Sequence, residues 1–175
     1  MTIKAMVLPA LLMALGCSKP HGADLVGASD FRFSIEAYNW EIAGSEVTRI
    51  GPGAEVEHIA YRGVMEGGAY TPYWFRRTHV VSGAALEGLQ RLLTQRDFLQ
   101  LDASYVNKDS ADGEMTTFTL TAAGATKEVY CSNLFPSSIR DIERYVREQI
   151  VGAIPKTVVA RRLNRAEAVN AGAAR

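Results

Sequence analysis

The chain has 175 residues, of which 47% are hydrophobic and 22% are charged, and these values exclude a disordered or collagen-like protein. At roughly 100 to 200 residues per domain, this length predicts a single domain. Nineteen basic residues balance nineteen acidic residues, which argues against a nucleic-acid partner.

The first sixteen residues have the pattern of a signal peptide. Lys4 gives a short positive region, and residues 5–16 follow without a charge. This apolar run is shorter than the roughly 20 residues that a membrane-spanning helix needs. We therefore expect residues 1–16 to be removed from the mature protein.

The end of this segment, Met13-Ala14-Leu15-Gly16-Cys17, resembles the lipobox of bacterial lipoproteins, with Ala14 where that family prefers Leu. The resemblance implies that the Cys17 thiol is acylated, that the peptide is cut just before it, and that the protein is anchored to a membrane by lipid. Ser18 as the next residue implies the periplasmic face of the outer membrane. The alternative is an ordinary secretory signal in which Cys17 has no role.

The second cysteine, Cys131, has no disulfide partner if Cys17 carries lipid. It ends the alternating run Val129-Tyr130-Cys131, a position typical of a buried thiol.

The mature chain divides into three parts. Residues 17–30 contain Pro20 and little periodicity, which predicts a flexible tether. Residues 31–150 form the single predicted domain. Residues 151–175 carry five basic residues, one acidic residue and no aromatic residue. We expect this basic tail to be a solvated helix or disordered, and to be dispensable for folding.

Apolar and polar residues alternate in several runs of the domain, which predicts strands. Helical spacing follows two possible helix starts, Ser82 as an N-cap and Ser138. The order of strands, helix, hairpin and helix indicates an α+β fold, with an antiparallel sheet of about five strands and two helices packed on one face. The predicted strands are 31–37, 47–50, 56–61, 71–81, 116–121 and 127–131.

The domain also resembles a family of small, uncharacterised bacterial envelope proteins, many of them lipoproteins. The resemblance implies a fold and no catalytic residue, because it consists mainly of core and turn positions. These are Ser82, Leu86, Leu89, Asp97, Phe98, Leu101, Tyr105, Asp112, the 116–121 strand, residues 127–129, Pro136, Ile139 and Ile142.

Catalytic and metal motifs are lacking in the sequence. His21, His58 and His79 are far apart, with no HExxH or CxxC spacing, so structural or surface histidines are predicted and no metal site. The polar run 107–114 lacks the spacing of a calcium loop. No GxSxG, Walker A or GxGxxG motif is present, and no cofactor is implied.

The strongest candidate for binding is the aromatic and basic run that includes Tyr73, Trp74 and Arg76. On a strand, Tyr73 and Trp74 point to opposite faces, so we expect one aromatic side to be exposed and to contact a partner. The alternative is that this side packs beneath residues 40–68. The sequence predicts a non-enzymatic binding module of the cell envelope, with an envelope protein or peptidoglycan as partner. The second hypothesis is an envelope hydrolase with an unrecognised active site.

Overall fold

The structure, a computed structural model, describes residues 24–39, 44–110 and 113–174. The predicted signal peptide, Cys17 and residues 17–23 of the predicted tether lie outside the described residues. The described strands are β1 (Arg32–Asn39), β2 (Gly44–Ile50), β3 (Glu55–Glu66), β4 (Ala69–Val80), β5 (Ser104–Val106), β6 (Met115–Ala122), β7 (Ala125–Ser132) and β8 (Arg161–Leu163). The described α-helices are α1 (Gly83–Gln95), α2 (Ser137–Tyr145), which continues as a π-helical segment through Val151, and α3 (Arg165–Asn170).

The predicted α+β class is confirmed, since the described residues form one sheet of eight strands together with three α-helices. The strand order is β5-β7-β6-β1-β2-β3-β4-β8, and every neighbouring pair is antiparallel except β5 and β7. The expected number of about five strands was too low. The two edge strands, β5 and β8, have three residues each, which is too short for an alternating pattern to show in the sequence.

Helices α1 and α2 cover one face of the sheet and form the main core with it. Phe33 and Ile35 of β1 point into this core, as their alternation predicted, and meet Leu89, Ile139 and other buried residues. Ser82 caps α1 as predicted, because its hydroxyl accepts a hydrogen bond from the Ala85 N–H at 3.2 Å.

Residues 24–30, which we expected to belong to the flexible tether, pack against this core. Leu25 is buried in the main core. The Asp30 carboxylate accepts hydrogen bonds from the N–H groups of Gly124 and Ala123, both at 2.8 Å, and these bonds lower the pKa of Asp30. The segment between Cys17 and the folded domain is therefore shorter than the sequence suggested.

The expected separation of the basic tail from the core was wrong. Residues 161–174, here called the C-terminal strap, add β8 to the edge of β4 and then place α3 on the sheet face opposite α1 and α2. The strap is also tied to β2, where the Ser45 N–H donates to the Ala173 carbonyl at 2.8 Å. Together the strap and the sheet form a second, smaller core of Val47, Ile59, Trp74, Leu163, Ala168, Ala171, Ala173 and Ala174.

The close approach of α1 and α2 depends on Gly88. A Cβ atom at this position would overlap the hydroxyl of Tyr145, which reaches across α1 and donates a hydrogen bond to the Ala85 carbonyl at 3.0 Å. A glycine within a helix costs about 1 kcal/mol relative to alanine, and this contact explains why it is present.

We expect Gly88→Ala to lower the free energy of unfolding by about 1 kcal/mol, because overlap with Tyr145 outweighs the gain in helix propensity. Urea denaturation measures the change. In a Tyr145→Phe background the loss should be smaller, since the closest overlapping atom is gone. A stabilised Gly88→Ala protein would contradict this account of the helix contact.

We expect the C-terminal strap to contribute to the stability of the fold. Leu163→Ala should lower the free energy of unfolding by about 2–5 kcal/mol, because Leu163 is fully buried in the second core. The matched control is Val159→Ala, since Val159 is 87% exposed and its truncation should change stability by less than about 0.5 kcal/mol. Equal effects of the two substitutions would mean that the strap contributes nothing to folding.

Candidate functional site

The structure separates the three residues that the sequence grouped as a binding site. Trp74 and Arg76 lie on the strap-covered face of β4, and Tyr73 lies on the opposite face. Trp74 is 4% exposed and Tyr73 is 8% exposed, so the expectation of an exposed aromatic side was wrong for both rings. The binding role of Tyr73, Trp74 and Arg76 stays a prediction, without the exposed rings on which it was based.

Trp74 is buried because the strap covers it. Its ring meets Tyr61 edge-on, with centroids 5.9 Å apart, and a Cβ atom at Gly44 would lie 3.1 Å from the indole. Gly44 therefore lets the end of the strap and β2 close over the ring. Among the described residues the cover comes from the C-terminal strap together with Gly44, which belongs to residues 40–68 of the alternative interpretation.

Arginines on the strap-covered face are paired with glutamates. Glu57 accepts from Arg49 at 2.7 Å, and its other carboxylate oxygen lies 2.9 Å from Arg76 Nε. Arg161, which is opposite Arg76 in the β4–β8 register, pairs with Glu167 of α3. These three arginines share two glutamates, so each of them has a carboxylate beside it.

On the other face of the same strands lies a groove of about 260 Å³, here called the arginine groove. The register of β3 and β4 places His58 opposite Arg77 and Ala60 opposite Phe75, with their side chains on one face. Phe75 in turn is opposite Arg162 of β8. The residues lining the groove are His58, Ala60, Arg62, Phe75, Arg77 and Ala160.

Two arginines line this groove, and a third lies beside it on the same face. Arg62 and Arg77 line it, and Arg162 stacks on the Tyr73 ring with Cζ 3.1 Å from the ring centroid. Within the described part of the chain, every carboxylate oxygen is more than 4.0 Å from Arg62, Arg77 and Arg162. The groove is thus a concave, positively charged surface.

His58 forms the inner end of the arginine groove. It is buried, and its Nδ1 is 3.0 Å from the Thr48 hydroxyl, while Nε2 is 3.7 Å from a carboxylate oxygen of Glu46. Burial lowers the pKa of His58, and Arg77 lowers it further, against the opposing effect of Glu46. The imidazole is therefore neutral at neutral pH.

A second, wider depression lies at the ends of β2, β3 and β4. It has a volume of about 570 Å³ and is lined by residues that include Arg49, Glu55, Glu57 and His79. The charge of Arg49 is already balanced there by Glu57. This depression has less unbalanced charge to offer a ligand than the arginine groove.

Cys131 lies on β7, apart from the groove. The prediction that Cys131 is buried is confirmed, and burial raises the pKa of its thiol to about 11, so the thiol is protonated and unreactive at neutral pH. Within the described ranges, no three His, Cys, Asp or Glu residues are placed to hold a metal ion.

No protein-family model matches the chain, and a search of curated proteins finds none that matches it. The resemblance to lipoproteins and to small envelope proteins therefore stays a prediction from the residues quoted above. In the part of the chain that the structure describes, none of the helices has the length and hydrophobicity to span a membrane.

The lowered pKa of His58 should make the stability of the protein depend on pH. The pKa of His58 is lower in the folded protein than its ordinary value of 6.5, so the unfolded chain binds a proton first as the pH falls. The stability that this difference provides is present above about pH 6.5 and is lost below it.

We therefore expect urea denaturation to show a loss of stability between pH 7 and pH 5 that is smaller in His58→Gln. Each unit by which the pKa is lowered corresponds to about 1.4 kcal/mol of this pH dependence. An unchanged pH dependence in the variant would place a different group behind the effect.

Proposed function

We propose that the protein is a lipid-anchored binding module of the bacterial cell envelope, held by Cys17 on the periplasmic face of the outer membrane. The observation that carries this proposal is the sequence Met13-Ala14-Leu15-Gly16-Cys17 at the end of a charge-free run. Acyl chains on Cys17 bury enough CH₂ groups to anchor a protein stably, at about 0.8 kcal/mol for each group.

The fold adds a constraint on where such a protein acts. Since Leu25 is already packed in the main core, only residues 17–23 separate the proposed anchor from the domain. Seven residues span at most about 25 Å when fully extended. The domain would remain close to the membrane surface and would meet membrane-associated partners at high effective concentration.

A binding role is favoured over hydrolysis by the chemistry of the described surface. The arginine groove offers positive charge and an apolar floor, and the buried thiol of Cys131 is protonated. A hydrolase needs a nucleophile or a metal-bound water beside a general base. None of the groove-lining residues that the structure describes is a serine, a cysteine or a carboxylate residue. An envelope protein or peptidoglycan is the proposed partner.

Lipidation is tested by mass spectrometry of the mature amino terminus from a bacterial host. We expect the chain to begin at Cys17 and to carry the mass of a diacylglycerol with a further acyl chain. Cys17→Ser should leave the signal peptide uncut and shift the protein out of the detergent-extracted outer-membrane fraction. Cleavage at another residue, or an unmodified Cys17, would refute the anchor.

A further inference from the structure

We propose that the arginine groove binds an oxyanion-bearing ligand, whose carboxylate or phosphate groups pair with Arg62, Arg77 and Arg162 while its apolar part rests on Phe75. This inference deepens the proposed binding function by naming a site and a ligand class. It depends on the groove alone and would hold whether or not Cys17 carries lipid.

Like charges that lie close together destabilise the folded protein. Arg162 on β8 is in register with Phe75 and is therefore a diagonal neighbour of Arg77 on β4, while Arg62 lies farther along the same face of β3, in register with Tyr73. Diagonal neighbours in a sheet are about 7–8 Å apart, and like charges at such positions repel. No carboxylate among the described residues lies within 4.0 Å of them to offset the repulsion.

Arginines on the two faces of β4 and β8 differ in their partners. On the strap-covered face, Arg76 and Arg161 each pair with a glutamate, so the fold does provide partners where arginine serves stability. One residue along the same strands, Arg77 and Arg162 have no described carboxylate within 4.0 Å. Local conflicts of this kind are typical of functional sites, where a ligand supplies the missing interaction.

The Arg162 side chain is held in place before a ligand binds. The Tyr73 ring holds the Arg162 guanidinium by a cation–π contact at 3.1 Å, so this side chain loses little conformational entropy on binding. His58 also lines the groove and is buried, with its Nε2 3.7 Å from a carboxylate oxygen of Glu46, so the positive charge of the groove comes from the arginines.

The chemistry of the lining selects the ligand class. Guanidinium groups bind carboxylates and phosphates through two parallel hydrogen bonds. The volume of about 260 Å³ fits a small ligand or one side group of a larger one, and Phe75, Ala60 and Ala160 favour an apolar stem. Acidic side groups of peptides and of peptidoglycan have this chemistry, and so do phosphorylated molecules.

The groove lies at the far end of the strands from the start of the domain. Arg62 lies six residues beyond Val56 along β3, and Val56 is in register with Ile50, which is in register with Phe33 near the start of the domain. At about 3.3 Å per residue, the outer end of the groove is roughly 20 Å along the strands from the point where the chain enters the fold.

The test is isothermal titration calorimetry with the full protein in detergent at pH 7.5. Two probes distinguish the sources of the oxyanion: tricarballylate supplies three carboxylates, and pyrophosphate supplies phosphate. Sodium chloride at equal ionic strength corrects for screening. We expect saturable binding of at least one probe, with binding of tricarballylate alone pointing to carboxylate groups and binding of pyrophosphate alone pointing to phosphate.

The double variant Arg62→Gln/Arg77→Gln should weaken this binding by roughly 10- to 100-fold for each ion pair lost. Its matched control is Arg91→Gln/Arg144→Gln, which removes the same charge from the exposed surfaces of α1 and α2 and should bind as the wild type does. If the first double variant does not fold, Arg62→Gln/Arg162→Gln replaces it.

Absence of binding by both probes would overturn the proposal. Equal weakening in the groove variant and the control variant would also overturn it, because the effect would then come from net charge. Mass spectrometry of Cys17 is independent of these titrations, so failure of the groove and failure of the anchor are distinguishable.

Discussion

The period-two alternation of the β3–β4 hairpin is the constraint on which the rest of this structure depends. Both strands have twelve residues, and successive side chains point to opposite faces. Apolar residues fall on both faces of these strands, for example Trp74 on one face and Phe75 on the other. A sheet of this kind needs cover on both sides, and two helices on one face do not provide it.

The C-terminal strap supplies the second cover. It does so mainly with alanines, which allow its backbone to approach the sheet closely over Trp74. Arg49 supports this arrangement by donating to the Ala171 carbonyl at 2.7 Å while it pairs with Glu57. Two arginines of the tail, whose charge looked like a sign of solvation, lie on opposite faces of β8: Arg161 pairs with Glu167, and Arg162 lies on the face of the groove.

This division of charge connects the fold with the proposed function. Where an arginine stabilises the fold, a glutamate pairs with it, as Glu57 pairs with Arg76. Where the structure describes no carboxylate within 4.0 Å, Arg62 and Arg77 line an apolar floor beside Arg162, and a ligand can cover this floor.

The sequence by itself determined the elements whose pattern is local. The alternation of Phe33 and Ile35, the Ser82 cap, the burial of Cys131 and the opposite orientations of Tyr73 and Trp74 all follow from periods of two or 3.6 residues, and the structure agrees with each. Only the tertiary structure decided what covers each face. The strap was missed because alanine carries little hydrophobic signal, and β5 and β8 were missed because three residues show no period. The arginine groove lay beyond the sequence analysis for a related reason: Arg62, Arg77 and Arg162 are distant in the chain, and only strand register brings them around Phe75.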